Sequence, residues 1–237
     1  MWRTEDTRLH FCSTQRTGRI PSCPKWAPGF AKTKNRFVLI GSIAIDGPDN
    51  KILNRSFLID NDGNIVSRYD KIHLFDINLS EQQSYCESAT VRGGNDAVLC
   101  QTPFAKMGQT VCYDLRFPNL YRGLSQSGAE VLFVPAAFTK KTGEAHWHVL
   151  NRARAIENGA FVVAPCAIGE VEGGGASYGH SLIINPWGEV LADGGVQVGV
   201  VSAVIDLDEV ATARQRIPSL SHDKPFATKQ STGLVAK

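Results

Sequence analysis

An α/β domain on mixed sheets is the fold class this sequence predicts, and three observations carry it. Apolar runs of strand length recur from Phe37 to Ile205, several joined by tight turns as hairpins. Helical runs at 120–127, 144–157 and 208–216 are interspersed among them. Apolar residues make up 43% of the chain and charged residues 20%, enough to bury a sizeable core in one domain of 237 residues.

Each element follows from local chemistry. Residues 1–36 stand apart, rich in Arg, Lys, Thr, Ser and Pro, and read as an atypical, irregular segment; residues 37–237 read as the domain proper. Phe37–Ile45 is a buried strand. Ser56–Ile59 and Asn64–Tyr69 form a hairpin closed by Asp60-Asn-Asp-Gly63. Val98–Gln101 and Met107–Cys112 flank another turn. Leu120–Ser127 is helical and stops before Gly128, and Val131–Phe138 is a strong strand. Glu144–Glu157 is the best helix, with Thr142 able to cap it and Glu144 suited to its dipole. Phe161–Pro165 is a strand, and Pro186-Trp-Gly-Glu189 turns between His180–Asn185 and Val190–Ala192. Gly173–Gly179 is a flexible loop without the strand–helix frame of a phosphate loop. A last strand, Gly199–Ile205, precedes the short helix Asp208–Arg216.

Composition excludes several functions. A net charge of +2 gives no electrostatic case for nucleic acid or an anionic membrane surface. No apolar run approaches the 18 residues of a membrane span, and the start has no apolar signal region. The cysteines at 12, 23, 86, 100, 112 and 166 form no C-x-x-C pair, so reduced thiols in the cytoplasm are expected.

The chemistry concentrates in the run Gly108-Gln-Thr-Val-Cys112-Tyr-Asp-Leu-Arg116-Phe-Pro118 and in Arg68-Tyr-Asp-Lys71-Ile-His-Leu-Phe-Asp76. Most of the cysteines read as small buried hydrophobes. Cys112 differs, because it ends a strand at a sharp bend where free N–H groups stabilise a thiolate. The backbone N–H of Tyr113 is placed to meet a developing oxyanion. Lys71 follows a strand and is set in apolar sequence, where an ammonium lowers a neighbouring thiol's pKa. Arg116 sits four positions past Cys112, either facing the same mouth to hold a carboxylate or pairing with Asp114. Phe138 and Thr142 lie at or just past a strand end, where α/β proteins place ligands. His146-Trp-His148 reads as packing and pocket wall, since i and i+2 diverge on a helix, and no metal or cofactor is expected.

Together with Phe138-Thr-x-x-Thr142-Gly-x-Ala-His-Trp147, Arg152–Asn158, Tyr178-Gly-His-Ser181 and Asn185–Leu191, these runs resemble the nitrilase superfamily of carbon–nitrogen hydrolases, and its Nit branch in particular. The resemblance implies a four-layer α-β-β-α sandwich and a homodimer. It implies a reactive centre of Lys71, Glu87 and Cys112, with Glu87, otherwise a plain loop glutamate, positioning the lysine. Residues 1–36 show nothing of the family's opening strand and helix or of its general-base glutamate; Glu5 stands in polar sequence and receives no role. The implied function is thiol-dependent hydrolysis of small carboxylate-bearing amides, such as deaminated glutathione or ω-amides of 2-oxo acids. The alternative is a member or gene fragment without its general base, retaining at most a binding role.

Overall fold

The computed structural model describes residues 8–12, 22–80, 83–171 and 175–231. In chain order, β1 (Arg8–Cys12) and α1 (Trp26–Lys34) precede β2 (Val38–Asp46), β3 (Ile52–Ile59) and β4 (Ile65–Asp70). Next come β5 (Asp76–Ser80), β6 (Gln83–Cys86), β7 (Val91–Arg92), β8 (Val98–Gln101) and β9 (Lys106–Gln109). The chain continues through α2 (Pro118–Gln126), β10 (Val131–Phe133), α3 (Lys140–Asn158) and β11 (Phe161–Ala164). It ends with β12 (Ile168–Glu170), β13 (Ala176–Tyr178), β14 (Leu182–Ile184), β15 (Val190–Asp193), β16 (Val200–Val204) and α4 (Asp208–Arg216).

Alternation along the central strands builds the layers. The six-stranded sheet runs β15-β14-β11-β10-β9-β8, with β9, β10 and β11 mutually parallel. On one face Val131, Phe133, Phe161, Val163 and Ile183 meet Leu39 and Leu58 of the second sheet. On the other face the intervening Leu132, Val162, Leu182 and Ile184 pack against Tyr121, Leu124, Trp147 and Ala155 of α2 and α3. The second sheet, antiparallel β2-β3-β4 with β7 beside β3, turns Val38, Ile40, Ile59 and Ile65 towards Ala27 and Ala31 of α1. Period-two side-chain direction thus gives each sheet two apolar faces and the fold its α-β-β-α order.

Several elements differ from the sequence expectation for physical reasons. Strand β1, which pairs antiparallel with β16, lies inside the stretch read as irregular, and so does helix α1. It has no side-chain cap, so burial of Ala27 and Ala31 rather than local propensity holds it, with Pro28 tolerated in the first turn. Strand β10 stops at Phe133, because Pro135 has no N–H for a sheet ladder, yet the chain stays extended through Ala136, which bridges Cys166. Thr142 is not the cap of α3; Thr139 holds that position, and Thr142 sits in the first turn with its Oγ1 2.7 Å from Thr139 Oγ1. Part of the expected loop 173–179 is strand β13, paired with β12 and donating Tyr178 N–H to Phe138 O at 2.8 Å.

Candidate active site

The parallel strands β9 and β10 both end at one edge of the larger sheet, where an α/β architecture places its ligands. There the structure opens a cavity of about 390 Å³, whose lining includes Lys71, Glu87, Cys112, Tyr113, Phe138 and Thr142.

Cys112 lies three residues beyond β9, not at its end, and begins a 3-10 turn, Cys112–Arg116. Its φ is +50°, a left-handed conformation that a cysteine adopts only under constraint. The constraint is visible. The Cys112 N–H donates to Pro135 O at 2.9 Å, tying the turn to the chain beyond β10, and Asp114 Oδ2 accepts from Val111 N–H at 2.8 Å. No described residue accepts a hydrogen bond from the Tyr113 N–H, which is therefore open to a ligand oxygen.

Lys71 directly follows β4 and is only 3% exposed. Its backbone is pinned from both sides, with Lys71 N–H donating to Asn54 O and Gly94 N–H donating to Lys71 O, each at 2.9 Å. Gly94 has to be glycine for this approach, because a Cβ would strike the Asp70 backbone. The Lys71 ammonium meets Glu87 Oε2 at 2.5 Å. Glu87 is held in turn by the Phe75 N–H at 2.6 Å and by Asn54 Nδ2 at 3.2 Å. Both carboxylate oxygens are thus engaged, which suits Glu87 to fixing the ammonium rather than to carrying protons. Asn54, unremarkable in sequence, is the residue that sequence reasoning missed here.

Asp114 is fully buried behind the turn. It accepts from Tyr69 OH at 2.6 Å, from the His73 N–H at 3.0 Å and from His73 Nδ1 at 2.7 Å, besides Val111. Burial and this carboxylate push the Tyr69 hydroxyl far above its ordinary pKa, so it remains a donor. From the other side Arg154 of α3 donates to Leu115 O through Nε at 3.0 Å and Nη2 at 2.8 Å.

Lys71, Glu87, Cys112 and Tyr113 line one cavity, together with Phe138 and Thr142. Arg116 does not pair with Asp114, and it is not among the residues that line the cavity, though it touches Phe138, which is. Its guanidinium lies 5.4 Å from the Phe138 ring centre, and its Nη2 is 3.3 Å from His146 Nδ1. His146 and His148 are not cavity walls: the first meets Arg116, and the second meets Asp193. Cys86 departs from the buried reading, being exposed at the cavity lining. Glu87 is the one carboxylate lining the cavity among the described residues; Glu5 lies outside them.

Burial raises the pKa of the Cys112 thiol above the ordinary value, opposed by the Lys71 charge and a hydrogen bond from the Ala137 N–H. A raised pKa leaves the neutral thiol dominant at pH 7, so thiolate must increase with alkalinity. Alkylation of Cys112 by iodoacetamide, read on its peptide by mass spectrometry, is expected to climb about tenfold per pH unit without a plateau in the ordinary thiol range near about 8.5. Lys71→Met should displace the curve further upward. A curve that Lys71→Met leaves in place would disprove the electrostatic coupling.

A family model described as "Carbon-nitrogen hydrolase" matches residues 28–215, from the first turn of α1 to the last turn of α4. The chain is 45% identical over 199 residues to a "Deaminated glutathione amidase" of Dictyostelium discoideum, covering 82% of this chain and 68% of the relative. It is 36% identical over 194 residues to the "Omega-amidase NIT2" of Bos taurus, covering 82% and 70%. The crystal structure of the C. elegans NitFhit protein superposes with a TM-score of 0.78 at 36% identity, over 83% of this chain and 48% of that one. The chain therefore spans about two thirds of these relatives and about half of the worm protein.

Proposed function

Because the chain belongs to the carbon–nitrogen hydrolase family, we propose that it hydrolyses the amide bond of a small carboxylate-bearing substrate with Cys112 as nucleophile. One observation supports this above the others: a strained cysteine, a buried ammonium and an open backbone N–H share one cavity. The Cys112 sulfur forms a bond to the amide carbon, and the carbonyl electron pair moves onto oxygen. Lys71 and the Tyr113 N–H stabilise that oxyanion. Its collapse breaks the C–N bond, and ammonia or an amine leaves carrying the proton given up by the thiol. Water then attacks the thioester, releasing the acid and restoring the thiol. Glu87 and Asn54 keep Lys71 aimed throughout.

The names of the relatives support deaminated glutathione and ω-amides of 2-oxo acids as the substrate class. Arg116 against Phe138 is the group suited to the substrate carboxylate, since its planar fork matches two oxygens. The reading extends to a cytoplasmic homodimer, for which the exposed Val149 and Ile156 on α3 offer apolar surface. No helix among the described residues is long and apolar enough to cross a membrane.

The test is release of ammonia or amine from deaminated glutathione and from a 2-oxo ω-amide. Turnover of at least one is expected. Arg116→Gln should raise KM roughly tenfold to a hundredfold, the worth of one charge-assisted hydrogen bond, with a smaller effect on kcat. An unchanged KM would remove Arg116 from the substrate site.

A further inference from the structure

Away from the cavity, three metal-ligating side chains from three elements converge. His148 lies in α3, His180 stands two residues after β13, and Asp193 ends β15. His148 Nε2 is 3.0 Å from Asp193 Oδ2, while His180 Nδ1 lies 2.9 Å from Oδ1 and 3.0 Å from Oδ2. One ligand atom from each residue falls within 4.8 Å of the other two. We propose that this cluster binds one zinc-class divalent ion, which fastens helix α3 to the β14–β15 hairpin.

The distances suit such an ion. An ion with bonds of about 2.0–2.2 Å to nitrogen and oxygen sets neighbouring ligand atoms roughly 3.0–3.5 Å apart, close to the two His–Asp separations. Two imidazoles with one carboxylate select zinc and its transition-metal neighbours over magnesium or calcium, which take oxygen shells. The i, i+2 spacing in α3 rules out a pair from that helix alone; the second imidazole comes from a different element.

Two of the three ligands are also held in place. His180 holds a left-handed φ of +54°, rare for a residue with a side chain. It is kept there by its N–H on Gly195 O at 2.7 Å and by the Trp147 indole N–H on its carbonyl at 2.8 Å. Its ring stacks on Tyr178 with centres 4.6 Å apart. The Asp193 carboxylate is aimed by the Gly195 N–H at 2.8 Å. These contacts fix the backbone and ring plane of His180 and the carboxylate of Asp193. Both near nitrogens must give up their protons to accept an ion, and each ring can move its proton to the far nitrogen. No described residue hydrogen-bonds to His148 Nδ1 or His180 Nε2, so nothing opposes that change of tautomer. The three side chains are 24–34% exposed, which leaves an entry path and room for water to complete the shell.

The placement also gives the ion something to do. Trp147, adjacent to His148, packs 5.0 Å from Phe138, a wall of the cavity. Clamping α3 here stiffens that wall from behind.

Chelator-stripped protein is titrated with zinc sulfate by calorimetry, and cobalt uptake is followed by its visible absorption. Because thiols also bind zinc, a Cys86→Ser/Cys112→Ser double variant is run beside the unaltered chain. One ion per chain is expected in both, with a rise in Tm. His148→Ala and His180→Ala should each weaken binding at least about tenfold, the loss that even an outer contact can produce. His148→Gln covers the case of a variant that fails to fold, since its amide keeps a hydrogen bond to Asp193 but is a poor ligand; it should hold the fold and lose the ion. Zinc retained by the histidine variants, zinc lost with the cysteines, or no uptake at millimolar zinc would each overturn the site and leave a His–Asp–His hydrogen-bond relay.

Discussion

Cys112→Ala should reduce amide turnover by about 10⁴-fold or more while leaving a folded protein that still binds its substrate. Loss of a nucleophile within a group of residues that act together reaches about 10⁶ in kcat, and what survives is the oxyanion site and substrate binding. Here those survivors are the Tyr113 N–H and the Lys71–Glu87 pair, neither of which needs the sulfur for its position. Alanine removes one atom and keeps a Cβ, so the left-handed backbone stays about as strained as before. The measurement pairs product release with mass spectrometry of the stalled reaction. An acyl adduct on the native chain and none on the variant is the expected pattern. Turnover within about tenfold of native would place the chemistry elsewhere.

Asp114→Asn should cost about 3–5 kcal/mol of unfolding free energy, because it strips charge from a fully buried carboxylate on which several hydrogen-bond donors converge. An asparagine offers one acceptor oxygen where four donors converge, and turns its own NH₂ towards at least one of them. For a chain of this size the loss is roughly 6–20 °C in Tm. The Arg55–Asp70 pair is the control, with both side chains about a quarter exposed. Asp70→Asn should cost less, about 1–2 kcal/mol, because solvent partly screens this two-pronged pair and the asparagine amide keeps one of its hydrogen bonds. Equal costs for the two substitutions, measured by urea unfolding, would refute the role given to Asp114.

The difference between these two aspartates marks where sequence reading stops. Asp114 is visible as an acid beside Cys112, and its sequence neighbour Arg116 looks like its partner. Its real partners, Tyr69 and His73, lie 45 and 41 positions away and reach it only because two sheets close on each other. Asn54 is hidden in the same way, since its amide serves Glu87 from 33 positions off. Strands such as Phe161–Ala164 were legible because continuous apolar sequence admits few other outcomes. Helix α1 was not, because its stability comes from the sheet beneath Ala27 and Ala31 and not from its own residues. Lys71, Glu87 and Cys112 could be paired from sequence only through a resemblance; nothing in separations of 16 and 25 positions dictates that they meet.

The left-handed backbone at Cys112 also bears on which molecules can react at all. A nucleophile on a relaxed loop can search for an electrophile, and tolerates substrates that arrive in several poses. This sulfur cannot search, because rotating the peptide that carries it would break the Cys112–Pro135 hydrogen bond that spans two strand ends. Alignment was settled when the chain folded, so each encounter starts with the attacking atom already aimed. The burden of fit passes to the visiting molecule. Selectivity then resides in how far the rest of a substrate lets its carbonyl reach a fixed point, and an amide held by the wrong handle is a ligand that never reacts.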